Sequence, residues 1–335
     1  MLSTQDINAR NVIIVNALDS KKFNMSLGNI VISDDDSGEV LTKLSCYKVF
    51  ALFVIGHITI TSHVLENLSK YGINLVMLKP NFRPFFTLGG MAEANYLLRE
   101  RQYHFEENLL VAQRLLKNKA YNQIAVLKNI RNKNQLQLVA IKRCEELLLQ
   151  FDELEKYELA ELMGIEGNIS KIYFPAVFDY ADWNGRKPRA KLDPYNVVLD
   201  IGYTFLFNFV ECFVKLFGFD VYYGVCHKTW FKRKSLICDL VEPFRCIIDL
   251  QARKSWNLKQ FKFEHFTHNR GQYTLKKDFN KVYTEVFFNE LVEHKGLIFS
   301  YIRNYYRCFM GRKSVPNYPW FNFIDKVVED VDRQL

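Results

Sequence analysis

Residues 108–130, NLLVAQRLLKNKAYNQIAVLKNI, decide how this chain is read. Leu109, Leu110, Ala112, Leu115 and Leu116 recur at helical spacing, and Ile124, Leu127 and Ile130 continue the stripe. The helical period holds from about Ala92 onward, with further helices expected over 136–151, 153–174, 196–217, 239–254 and 280–310. A breaker-rich loop, DWNGRKPR at 182–189, separates two of them.

Upstream of that segment the pattern is different. Residues 11–15, 22–25, 30–32 and 50–55 are short runs with β-branched and aromatic residues, and DDDSG at 34–38 is a turn cluster between two of them. Residues 57–61 alternate, and Thr61 or Ser62 caps a short helix. GINLVML at 72–78 is another strand, ended by Pro80 and Pro84. The fold expected is α+β: a small β-rich domain over 1–88, followed by a larger all-helical domain over 89–335. The chain contains no internal repeats and no low-complexity tract.

The composition, 49% hydrophobic and 24% charged, is that of a globular protein. The apolar stretch at 197–225 is interrupted by Asp200, Glu211, Lys215 and Asp220, so it reads as a buried helix rather than a membrane span. Residues 1–10 are polar and carry no signal-peptide pattern, which leads to an expected cytoplasmic protein with no membrane partner. Seven scattered cysteines with no C-x-x-C pair support neither a disulfide framework nor a zinc ribbon.

The net charge of +8 is unevenly spread. Between Asn108 and Cys144 stand eight basic residues and no acid, among them Arg114, Lys128 and Arg131. Arg186, Lys187, Arg189 and Lys191 form a second cluster, and Lys228, Lys232, Arg233 and Lys234 a third. Any one cluster reads as a solvated helix face; their segregation from the acids suits a surface that tracks phosphates. The 15% aromatic content serves core packing or stacking on unpaired bases.

Three segments carry groups fit for chemistry. Glu166 stands between Gly164 and Gly167, each costing roughly 1 kcal/mol in a helix, which the close approach of another helix or of a ligand would offset. His227 lies beside a basic cluster; zinc bound by Cys226, His227, Cys238 and Cys246 is the competing reading, at spacings that match no zinc pattern. Asp239 and Glu242 are spaced i, i+3 before Pro243, so a helix should begin near Asp239, with Asp239 as its cap. Two acids and an imidazole ringed by Lys and Arg suit Mg²⁺ or Mn²⁺ and phosphoryl transfer. The residues alone reach a metal-dependent nuclease.

Four segments resemble a known family. They are LMGIEG at 162–167 with Tyr173 and Phe174; DPYN at 193–196 through Gly202 and Tyr203; GFDVYYG at 218–224 leading to His227; and DLVEPFR at 239–245 with Asp249. Their order and spacing over roughly 160–250 are similar to the spacer integrase, the larger of the two near-universal CRISPR adaptation proteins. Residues 60–62 and 72–73 match more weakly. The resemblance implies that Glu166, His227 and Glu242 bind Mg²⁺ or Mn²⁺ and are catalytic, supported by Asp239, Arg245 and Tyr203. It also implies an N-terminal domain that forms a homodimer, and two such dimers flanking one dimer of a small partner protein. The implied reaction is transesterification, in which the 3′-hydroxyl of captured double-stranded DNA attacks a CRISPR repeat boundary; water in its place makes the site an endonuclease. This chain departs from the family at Asp200, where a small polar or amide residue is more usual, and at Val221, where proline is usual. Its third metal position is glutamate rather than aspartate, which the family allows. The competing functions are a metal-dependent repair nuclease acting on branched DNA and a non-catalytic DNA-binding scaffold.

Overall fold

The computed structural model describes residues 2–90, 92, 94–152, 158–180, 183, 185–227 and 229–329; of residues 18–20 and 329 it describes the backbone alone. Helix α1 (Thr4–Ala9) precedes strands β1 (Asn11–Ser26), β2 (Asn29–Asp34), β3 (Val40–Ser45) and β4 (Val49–Ile60). Helix α2 (Ser62–Lys70) leads into β5 (Asn74–Leu78) and β6 (Pro84–Leu88). These six strands form one sheet in the order β3-β2-β1-β4-β5-β6, parallel at β1/β4 and β4/β5 and antiparallel elsewhere. Thr61 is the cap of α2, its hydroxyl accepting from the Val64 N–H. Asp34 closes the acidic turn by accepting from the Ser37 N–H and hydroxyl. The edge strands β3 and β6 are additions to the sequence reading. Pro84 opens β6 rather than ending what precedes it, a position that an edge strand tolerates.

β4 explains how the sheet meets the rest of the chain. Its run VFALFVI is buried on both faces, as a continuous apolar strand should be. Leu52 and Val54 join a core closed by Val64 and Leu68 of α2. Phe50, Phe53 and Ile55 face the other way, into the core of the helices. There Phe50 stacks on Phe213 at 4.8 Å between centroids, and Phe53 meets Phe288 at 4.7 Å.

The helices that follow are α3 (Tyr96–Tyr103), α4 (Asn108–Lys128), α5 (Gln135–Gln150), α6 (Leu159–Val177), α7 (Pro194–Lys215), α8 (Ser235–Leu240), α9 (Arg245–Asn257), α10 (Asn280–Glu293) and α11 (Lys295–Met310). Two hairpins are set among and after them, β7 (Phe266–Asn269) with β8 (Gln272–Leu275), and β9 (Trp320–Asn322) with β10 (Val327–Glu329). The second region is thus mostly helical rather than all-helical. The expected start of α6 at 153 lies outside the described residues. The single helix expected over 280–310 is two, broken at His294, where α11 turns to receive α1: a Cβ on Gly296 would lie 2.5 Å from Asn8 Oδ1.

α7 is the central helix. Asp193 caps it and Pro194 occupies its first turn. By length and composition it would cross a membrane, yet 78% of its apolar window is buried inside the protein. Gly202 on α7 lets α9 and α10 come close: a Cβ there would lie 2.5 Å from Ile248 Cγ2 and 2.9 Å from the Phe287 ring. Gly202→Ala is therefore expected to overpack this seam and cost ~1–3 kcal/mol, read as a lowered urea midpoint at unchanged m-value.

Candidate active site

The site is assembled on α4. Asn118 and Asn122 use their amides to hold β9 and the turn after α8: Asn118 Nδ2 donates to the Phe321 carbonyl at 2.8 Å, and Asn122 Nδ2 to the Phe321 and Pro243 carbonyls at 2.9 and 3.2 Å. Between these anchors Lys119 points at two carboxylates. Its Nζ lies 2.6 Å from Glu166 Oε1 on α6 and 2.6 Å from Glu242 Oε2. Each acid has a second tether. Ser170 Oγ donates to Glu166 Oε1 at 2.7 Å, and Arg245 Nε stands 2.8 Å from Glu242 Oε2.

Glu242 occupies a one-turn 3₁₀ segment (Glu242–Phe244) that joins α8 to α9, with Pro243 tolerated in that opening turn. Burial alone would raise its pKa, but the charges of Arg245 and Lys119 outweigh it and hold the carboxyl at about 2; His227 adds a smaller pull in the same direction. Desolvation works against the Lys119 ammonium too, and Glu242 and then Glu166 outweigh it, so its pKa is raised and it stays charged.

Asp239 corrects the sequence reading. It lies inside α8, near its end, and begins no helix. Its fully buried carboxylate instead organises the loop before α8. Oδ2 accepts the N–H groups of Val225 and Cys226 at 2.6 and 3.0 Å, and Oδ1 accepts the His227 N–H at 3.0 Å and lies 2.6 Å from His227 Nδ1. A carboxylate there makes Nδ1 the protonated nitrogen and leaves the lone pair on Nε2. Gly224 is required beside it, because a Cβ would lie 2.4 Å from Asp239 Oδ2.

Arg245 continues the cluster, its guanidinium 4.6 Å from the Tyr203 ring centroid. The Tyr203 hydroxyl donates to Asp249, which also accepts from Tyr173 at 2.8 Å. Burial pushes Asp249 up to about 6, with both tyrosine hydroxyls working against that rise.

A cleft of ≈ 1270 Å³ opens over Lys119, Glu166, Gly167, Tyr203 and Arg245, with Arg186, Arg189 and Lys232 on its walls. Glu242 and His227 are not on its surface. Neither glycine flanking Glu166 meets a neighbouring helix: a Cβ at Gly164 or Gly167 would have nothing within 4 Å, so the helix-contact explanation of the pair fails. Asp200 is neutralised by Arg186 at 2.6 Å, which accommodates the departure noted at that position.

The basic residues divide. Arg114 is structural, donating to the Tyr318 carbonyl and lying over Trp320. Lys128 pairs with Glu145, while Arg131, Lys187 and Arg233 are exposed. Lys228 lies outside the described residues. The zinc reading fails, since Cys226 Sγ and Cys246 Sγ are turned to the carbonyls of Ala112 and Pro243. Among the described residues, no three His, Cys, Asp or Glu side chains stand ready to hold a metal ion together. The two glutamates are spaced by an ammonium. Lys119 was counted in the sequence only as one cation of a basic stretch. The signal that singles it out is its register: it continues the stripe of Leu115 and Leu116 into the apolar face of α4.

Comparison with known proteins gives the chain's relatives. The family described as CRISPR associated protein Cas1 matches residues 18–289. A CRISPR-associated endonuclease Cas1 of Thermodesulfovibrio yellowstonii is 29% identical over 245 residues, 69% of this chain and 76% of that protein. A chain of a Cas6-RT-Cas1–Cas2 complex superposes with a TM-score of 0.75 at 18% identity, covering 91% of this chain and 35% of that one. A casposase bound to integration product gives 0.72 at 19% identity, covering 91% and 92%. At those identities the two structures bear on the fold.

Proposed function

Since the chain belongs to the Cas1 family of CRISPR-associated proteins, we propose that it is a metal-dependent DNA integrase that joins captured DNA to a CRISPR repeat by transesterification. The observation that carries this reading is the convergence of Glu166 and Glu242, from separate elements, on one cationic group at 2.6 Å each beside a basic cleft.

The donor set fits a hard divalent ion. Glu166, Glu242 and Nε2 of His227 would hold Mg²⁺ or Mn²⁺, and Asp239 is the carboxylate that orients such an imidazole. Lys119 already shows that a cation is stable between the two glutamates. When bound, the ion supplies Lewis acidity at a phosphodiester and favours the ionised form of an attacking hydroxyl.

The chain's own groups do the rest. Arg189 and Lys232 on the cleft walls hold the DNA backbone, and Arg245, braced by Tyr203 and Asp249, keeps Glu242 ionised. A DNA 3′-hydroxyl oxygen forms the new bond to phosphorus, the bond to the repeat's own 3′-oxygen breaks, and one phosphodiester replaces another. Water as nucleophile gives hydrolysis. The domains proposed are 1–88 and 89–335, the first forming the homodimer. Two dimers flank one dimer of a small partner, a reading supported by the Cas1–Cas2 name of the similar complex.

The test is strand transfer by the purified protein. It uses labelled duplex with free 3′-ends, a supercoiled plasmid bearing a repeat array, and Mn²⁺, Mg²⁺ or EDTA. Metal-dependent joining that is lost in Glu166→Ala and His227→Ala is the expected result. Cleavage of branched DNA without joining, also with the partner protein added, would favour the repair nuclease. Metal-independent binding without chemistry would favour the scaffold, although neither Glu166 nor Glu242 caps a helix as that reading requires.

A further inference from the structure

We infer that Lys119 is a displaceable resident cation: its ammonium holds Glu166 and Glu242 together in the metal-free protein, and an entering divalent ion drives it out into the cleft. This rests on the reading of the site as a metal site, and it assigns a role to a residue outside the proposed ligand set.

The geometry supplies the argument. Both carboxylate oxygens lie 2.6 Å from one nitrogen, and the side chains are 11% exposed for Lys119, 18% for Glu166 and 4% for Glu242. Two carboxylates aimed at one point repel each other, and the ammonium between them turns that repulsion into attraction. Mg²⁺ takes carboxylate oxygens at about 2.0–2.1 Å, closer than the 2.6 Å contacts to the ammonium, so an entering ion draws the two carboxylates inward to the place the ammonium occupies. That place does not hold two cations.

Displacement has a route and leaves the ligands in place. Lys119 itself lines the cleft, so its flexible four-carbon stem can deliver the ammonium there. Ser170 and Arg245 keep their hold on Glu166 and Glu242 without it. Asn118 and Asn122 lock the α4 backbone on either side, so the motion is confined to the side chain. Once in the cleft, the ammonium becomes a cation for a DNA phosphate. Metal loading and phosphate binding are thereby coupled through one side chain.

The experiment uses the full chain without DNA. Metal-free protein is acylated with an amine-reactive reagent in the presence and absence of Mn²⁺, and modification is read by peptide mass spectrometry. Lys128, 55% exposed and outside the cleft, is the internal reference. Lys119 is expected to be protected without metal and several-fold more reactive with it, at constant Lys128 labelling. Equal or lower Lys119 reactivity with Mn²⁺ overturns the inference. Calorimetry adds a second readout: Lys119→Met removes the competitor and should tighten Mn²⁺ binding by roughly tenfold or more. Unchanged or weaker binding by that variant also overturns it. The labelling result stands on the wild-type chain if the variant does not fold. Mn²⁺ binding that depends on Glu166 but is indifferent to Lys119 would retain the metal site and remove only this inference. No Mn²⁺ uptake by wild type or Lys119→Met would remove both.

Discussion

Glu242→Ala is expected to abolish metal-dependent strand transfer and to destabilise the fold, whereas Glu166→Ala should abolish transfer at a much smaller structural cost. Both remove one of two carboxylates proposed to hold the ion, and losing that electrostatic stabilisation, several kcal/mol, corresponds to a rate loss of ~10³-fold or more. The structural consequences differ because burial differs. The Glu242 side chain is 4% exposed and neutralises both Lys119 and Arg245, so its removal leaves buried cations short of a partner, at a cost of about 3–5 kcal/mol. Glu166 lines the cleft at 18% exposure, where water can replace it. Guanidinium unfolding beside the joining assay separates the two effects. Full joining by either variant would remove that residue from the site.

Asp239→Asn is the second large effect, and it is expected on stability and activity together. The carboxylate receives three backbone N–H groups and the His227 ring, so all its acceptor capacity is used in one loop. An amide turns one oxygen into a donor that faces other donors. Hydrogen bonds to a charged group contribute ~1.5–3 kcal/mol each, so a loss of about 3 kcal/mol or more is expected. The His227 ring loses the partner that sets its tautomer, and changes to such orienting carboxylates lower metal affinity or activity by ~10–100-fold. Denaturant unfolding and Mn²⁺ calorimetry on the same preparation measure both. A variant with wild-type stability would contradict the role given to Asp239 here.

Asp239 also marks where local reading stops working. An acid three residues before another, with proline following, is a sound helix-start signal, and a helix does open at Glu242 and Pro243. The pattern cannot say that the donors for Asp239 come from residues 225–227 rather than from its own first turn, because that pairing is made across the fold. The helix expected over 280–310 failed for a similar reason. No proline interrupts it; the break at His294 follows from α11 packing against α1, at the opposite end of the chain. Lys119 was legible as a charge and not as a site residue, since its two partners lie 47 and 123 positions away.

What the sequence determined by itself is the switch from strands to helices near residue 92, the strand at 50–55, a helix cap at Thr61 or Ser62, the acidic turn at 34–38, and the identity of Glu166, His227 and Glu242 as candidates. Each is a local property, readable from periodicity, turn chemistry or motif spacing within a few residues. Only the tertiary structure decided that Glu166 and Glu242 face one cation, that this cation belongs to Lys119, and that Asp239 organises a loop instead of capping a helix. Those outcomes depend on which apolar faces bury each other. Packing α4 against α6 and the α8–α9 turn brings charges from three segments together at one end of the cleft, where the ammonium and the two carboxylates neutralise one another.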